Sequence, residues 1–250
     1  MPPPRIAIPL PHSTNHEYAE LAIPQSERAV TLAGGEPVRI PLDRTPEEIK
    51  NVIATCAGVL LPGSNADVEP SKFHQEKSER TAAADSRREE VDFLLLDDAY
   101  ANRKPVLGIC YGLQSLNVFR KGSLIQHIPD FLPEETRAKV NHEAGKNVAV
   151  AHSAAIDRGS LLAQITGGDG REGTIDALIL PVNSSHHQSA GAIGDGLRII
   201  ARCPDDNIIE ALEGTASDHF VLAVQWHPER SVEQDKASRA IFDALVKAAR

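Results

Sequence analysis

Short apolar runs alternate with amphipathic stretches through the first half of the chain. Residues 5–10 (RIAIPL) read as a strand entering a loop. Residues 26–33 fit a helix that stops at Gly34-Gly35, since glycine accepts the left-handed conformation on which helices commonly end. Residues 36–42 (EPVRIPL) and 57–61 (AGVLL) read as strands, the second broken by Pro62-Gly63. Residues 65–84 are polar and predict a surface excursion. Within residues 85–100, Val91, Leu94, Leu95 and Tyr100 recur at helical spacing. Residues 105–109 (PVLGI) form a short apolar run, and residues 111–119 are helical in pattern, with Leu113, Leu116 and Val118 on the apolar face.

The second half is richer in strands. Residues 148–156, 177–182, 197–203, 208–212 and 220–226 all fit, the last two as neighbours in a meander. Residues 237–249 close the chain as an amphipathic helix. Strand-helix alternation predicts a three-layer α/β fold: a mostly parallel central sheet, helices on both faces, and a small antiparallel extension. With no internal repeat and no linker-like stretch, residues 1–250 read as one domain.

Composition narrows the function classes. The 250 residues carry a formal net charge of −9. That excludes the basic surface a nucleic-acid backbone requires. No apolar run approaches the length of a membrane span, and the Met-Pro-Pro-Pro start lacks the apolar region of a secretory signal. The cysteines, Cys56, Cys110 and Cys203, are odd in number and widely spaced, which argues for a reducing compartment, by default the cytoplasm. No Cys-x-x-Cys pair occurs and no histidine spacing marks a metal site, so none is expected.

One cysteine stands apart. Cys110 lies between the strand PVLGI and a helical pattern, flanked as Gly108-Ile109-Cys110-Tyr111-Gly112. Gly-x-Cys-x-Gly is the cysteine form of a nucleophile elbow, whose sharp turn needs small residues two before and two after. The sulfur is then presented at the carboxyl edge of the sheet and at a helix N-terminus, where the partial positive charge favours a thiolate. The Tyr111 N–H points toward the oxyanion of a tetrahedral intermediate. A cysteine nucleophile needs a base and an orienting group. His227 and Glu229, two apart in Trp226-His227-Pro228-Glu229 after the strand FVLAVQW, supply both.

PVLGICYGLQ followed far downstream by VQWHPE resembles the class I glutamine amidotransferase family, whose flavodoxin-like fold carries a Cys-His-Glu triad. The resemblance implies that Cys110 is the nucleophile, that His227 and Glu229 complete the triad, and that Gly63, in Leu60-Leu61-Pro62-Gly63-Ser64, is the second oxyanion donor beside Tyr111. Further segments resemble the hydrolase branch, peptidase C26: AGGEPVRIPL, GVLLPGSNADVEP, Asp85-x-x-Arg88, GSLIQ at residues 122–126, His152 ahead of GSLL, and NSSHHQ at residues 183–188. Lys121 and Glu89 depart from that branch's usual glycine and aspartate, and Tyr111 stands where one member of the branch has arginine. The third departure bears on the leaving amine, because that position lines the family's substrate approach.

The resemblance implies hydrolysis of a γ-glutamyl amide through a cysteine thioester, with no cofactor. A glutaminase subunit feeding ammonia to a separate synthase is the alternative, and a binding module on this fold a third reading that the intact triad opposes. Asn183, Ser184, His186, Gln188 and Gln114 are candidates for holding the glutamyl group. Arg88 either pairs with a substrate carboxylate or forms an ion pair with Asp85 or Asp92. The expected partner is a small γ-glutamyl molecule, with no nucleic acid and no membrane; a homodimer stays open.

Overall fold

The computed structural model describes residues 2–167 and 177–250. The first half runs β1 (Arg5–Pro9), α1 (His16–Leu32), β2 (Glu36–Ile40), α2 (Pro46–Ile53), β3 (Gly58–Leu61), α3 (Ser86–Asn102), β4 (Val106–Ile109), α4 (Tyr111–Phe119). Then follow β5 (Leu124–Ile125), the single-turn helices α5 (Ile128–Phe131) and α6 (Glu134–Arg137), β6 (His152–Asp157), α7 (Leu161–Thr166) and β7 (Ala177–Val182). The chain ends with β8 (Ser189–Ala190), β9 (Leu197–Arg202), β10 (Ile209–Gly214), β11 (Val221–Val224) and α8 (Lys236–Ala248).

One sheet has the order β2-β1-β3-β4-β11-β10-β9-β6-β7. From β2 to β11 all pairings are parallel. Beyond β11 they are antiparallel; β10 and β11 are neighbours in a meander as expected, and β9 extends it. β5 and β8 pair separately. Successive strand residues face opposite sides. Ile6 and Ile8 pack with Ile23, Val30, Ile241 and Phe242 of α1 and α8. Ala7, Val59 and Leu61 pack with Ile49, Leu95 and Leu113 of α2, α3 and α4. Both faces are therefore buried, which is why these strands read as continuous apolar runs. No helix among the described residues is long and apolar enough to cross a membrane.

α1 and α2 differ from the sequence expectation, as do the short α5, α6 and α7, which it did not include. α1 starts at His16, ten residues early, and passes through Pro24. Asn15 caps it by accepting from the Tyr18 N–H, and Ala19, Ile23, Ser26 and Val30 form its buried stripe. α2 was not expected because its eight residues bury only Ile49 and Ile53, too few to show a period. Its signal is the Thr45–Glu48 capping box, with Thr45 N–H donating to Glu48 at 2.9 Å and Glu48 N–H to Thr45 at 3.3 Å. β6 begins at His152 rather than residue 148; Val148 and Val150 are exposed on irregular chain.

The end of α4 carries a testable cost. Lys121 N–H donates to Val118 O and Gly122 N–H to Asn117 O, both at 2.8 Å, a Schellman motif. A methyl group at 122 would lie 2.4 Å from Asn117 Nδ2, so glycine is required there. Lys121 holds φ +70° with a Cβ, which costs about 1–2 kcal/mol. Its exposed contact to Asp195 at 3.4 Å offsets little. Lys121→Gly is expected to raise unfolding free energy by about 0.5–1 kcal/mol in urea, the strain relief less glycine's extra chain entropy.

Candidate active site

Three loops leave the carboxyl ends of neighbouring parallel strands. Leu61 of β3 lies beside Gly108 of β4, and Ile109 beside Val224 of β11. Gly63, Cys110 and His227 follow within a few residues of those ends. Cys110 N–H still donates to Val224 O at 2.8 Å, then φ +52° and ψ −105° turn the chain abruptly into α4. An L-residue adopts that conformation only when its surroundings enforce it. The enforcement is visible: a methyl group on Gly108 would lie 2.8 Å from Gly112 O, and one on Gly112 2.2 Å from Leu61 O. Tyr111 is the first helical residue, so its N–H has no intrahelical acceptor.

His227 is buried, with Nδ1 2.7 Å from Glu229 Oε1. Its imidazole and the Cys110 side chain both flank Gly63 and line one cavity. Burial favours the neutral ring, but the Glu229 charge and Cys110 outweigh it and push the His227 pKa up to about 9. Burial likewise opposes the Glu229 charge, yet His227 holds that carboxyl below its ordinary range. A methyl group on Gly63 would reach 2.9 Å from His227 Cε1 and 3.8 Å from Cys110 Cβ. Glycine is thus required at 63 to leave room for the imidazole.

A cavity of about 430 Å³ opens over this group. Gln114, His186 and Gln188 line it with Cys110 and His227, and Gln114 donates to Gln188 O at 3.2 Å. Three expected substrate residues are not in the wall. Asn183 exchanges two 2.9 Å hydrogen bonds with the His227 backbone and positions it. Ser184 is fully buried, its hydroxyl 3.4 Å from Glu210. Arg88 is fully buried and its donors are taken by Asp92, Pro11 O and Pro62 O at 2.7, 3.0 and 2.6 Å. Of the two partners open to it, Asp92 is the ion pair; Asp85 instead caps α3.

The Tyr111 side chain is a further correction. It stacks on Arg88, whose guanidinium carbon sits 4.9 Å from the ring, among Val68, Phe73 and Val118. It does not line the substrate approach. The charged lining that sequence reading missed comprises Asp67, Glu143, Lys146 and Arg230, joined by Tyr18. Arg230, next to Glu229, and Asp67, within GVLLPGSNADVEP, had a signal in their neighbourhood. Groups of metal-ligating side chains among the described residues centre on His142 and Glu210, and one of them shares His186 with the cavity wall.

Comparison with known proteins identifies the family. Residues 7–229 match the family model described as peptidase C26. The chain is 30% identical to a γ-glutamyl-γ-aminobutyrate hydrolase of Escherichia coli O157:H7, covering 88% of this chain and 83% of that protein. It is 34% identical to a Mycobacterium tuberculosis protein named "putative glutamine amidotransferase", covering 86% of this chain and 64% of that one. The glutaminase domain of Trypanosoma brucei CTPS has the same fold, with a TM-score of 0.63 at 18% identity over 98% of this chain and 93% of that one. With most of its length matched and its fold that of the class I glutamine amidotransferases, the chain belongs to the peptidase C26 family.

Proposed function

We propose that the protein hydrolyses γ-glutamyl amides through a thioester on Cys110. One observation carries this: a Glu229-oriented imidazole and an elbow cysteine line the same cavity, together with charges of both signs. Cys110 attacks the γ-carbonyl carbon as the thiolate, beside a protonated His227. The Gly63 and Tyr111 N–H groups stabilise the oxyanion. His227 gives its proton to the nitrogen as the C–N bond breaks and the amine leaves. Water then attacks the thioester, giving its proton to His227, and glutamate departs with the thiolate restored. Arg230 and Lys146 suit the substrate's α-carboxylate, and Asp67 and Glu143 its ammonium group.

The segment after Gly63 favours hydrolysis over ammonia supply. Ser64, Asn65, Ala66 and Asp67 form part of the cavity wall, and Asp67 accepts from Ala82 N–H at 2.7 Å, pinning the excursion there. That wall occupies the face a partner synthase would need. The test is glutamate release by the purified chain from a panel of γ-glutamyl amines and from glutamine. Release from several amines without added protein, with a glutamyl adduct on Cys110 in quenched samples, is expected. Release from glutamine alone, and only with a partner, would establish the subunit reading instead.

A further inference from the structure

We infer that His142, His152, His186 and Glu210 form a closed binding site for a divalent transition-metal ion, zinc being the natural occupant. The four residues come from separate places: the irregular segment before β6, the first residue of β6, the 183–188 loop and β10. All are buried, Glu210 completely. His142 Nδ1, His152 Nε2, His186 Nε2 and Glu210 Oε1 converge, and each lacks a hydrogen-bond partner. Four such atoms facing one point are costly unless something satisfies them together.

The geometry fits a tetrahedral ion. Bonds of about 2.0–2.1 Å set neighbouring ligand atoms about 3.3–3.4 Å apart. Glu210 Oε1 lies 3.2, 3.3 and 3.6 Å from the inward nitrogens of His142, His152 and His186. The outward nitrogens are also held as metal-binding histidines require. His142 Nε2 meets Asp206 at 2.7 Å, His152 Nδ1 meets Ser153 O at 3.1 Å, and His186 Nδ1 meets Gln188 O at 2.8 Å. Each ring thus offers its free lone pair inward. A set of Cys203 and Asp206 with His142 is the competing arrangement, but it would break the short His142–Asp206 bond.

Four protein ligands leave no open position, so the ion would be structural. It would join the 183–188 loop and the 138–147 segment to the sheet. Those stretches contribute His186, Gln188, Glu143 and Lys146 to the cavity wall, and Asn183 holds His227. The ion would therefore fix the wall without touching the substrate.

The full chain, stripped with chelator, is titrated with Zn²⁺ and separately with Co²⁺. Stoichiometric Zn²⁺ retained through desalting, a higher melting temperature, and the visible bands of tetrahedral Co²⁺ are expected. The Cys110→Ala variant should keep all three. Glu210→Gln should weaken retention at least about tenfold; should it misfold, His152→Gln serves the same purpose. An intense near-ultraviolet sulfur band with Co²⁺ would place Cys203 among the ligands and overturn the assignment. So would a folded wild-type chain that retains no metal and gains no thermal stability. None of these readouts depends on the hydrolase reading.

Discussion

Cys110→Ala is expected to lower kcat for amide cleavage by about 10⁵–10⁶-fold with little change in substrate binding. The nucleophile is lost, while the cavity lining stays in place. Glu229→Gln should cost less, about 10²–10⁴-fold, because the imidazole remains but loses the carboxylate 2.7 Å away that orients and charges it. The pH dependence separates the roles. His227 is raised from about 6.5 in the unfolded chain to about 9, so its charged contacts stabilise fully below the lower value and are lost as pH rises through the higher. Activity should fall through the same range. The groups around the ring are Glu229, Cys110, Arg230 and Tyr18, and burial pushes Tyr18 up to about 12, so it stays neutral there. Glu229→Gln removes the strongest charge favouring protonation and should shift the alkaline limb to lower pH. Stopped assays from pH 6 to 10 on both proteins measure this, and a limb that does not move would refute the pairing.

The chemistry was legible where it is local. Gly108-x-Cys110-x-Gly112 names an elbow because close backbone approach demands those glycines. His227-x-Glu229 sits on three consecutive residues at a strand end. Strands such as β3 and β4 were legible because burial on both faces leaves no polar interruption. What sequence order scatters was not. Asn183 and Ser184 are polar residues beside a strand end, and nothing in the sequence distinguishes a side chain that faces substrate from one that holds a backbone. Asn183 turns out to grip His227 from another loop. Asp67, Glu143 and Lys146 meet in the cavity only because the excursion and the segment before β6 fold over the sheet edge. The His142–Glu210 group has no local spacing at all, so reading for paired ligands could not detect it.

Arg88→Met should destabilise the protein by about 3–5 kcal/mol, measured by chemical unfolding. Its guanidinium joins three elements: Asp92 of α3, the Pro11 carbonyl after β1 and the Pro62 carbonyl after β3. Methionine fills the volume but leaves a fully buried carboxylate and two carbonyls without their donor. Burial already pushes the Asp92 carboxyl above its ordinary range despite the neighbouring charge, so the ion pair itself adds little net stability. The cost comes from breaking one half of it. Arg88→Met with Asp92→Leu should therefore recover part of the loss. Arg88→Lys should not rescue, since one ammonium cannot reproduce a planar fork that reaches three acceptors. Catalysis separates anchoring from mere stability. Pro62 immediately precedes Gly63, so the guanidinium fixes the loop that carries an oxyanion donor. The restabilised double variant should still show kcat lowered by about 10–100-fold, with KM changed less, because a misplacement of about 1 Å at such a donor has that effect. Full kcat in the double variant would mean that Arg88 serves the fold alone and that the Gly63 loop is held by its other neighbours.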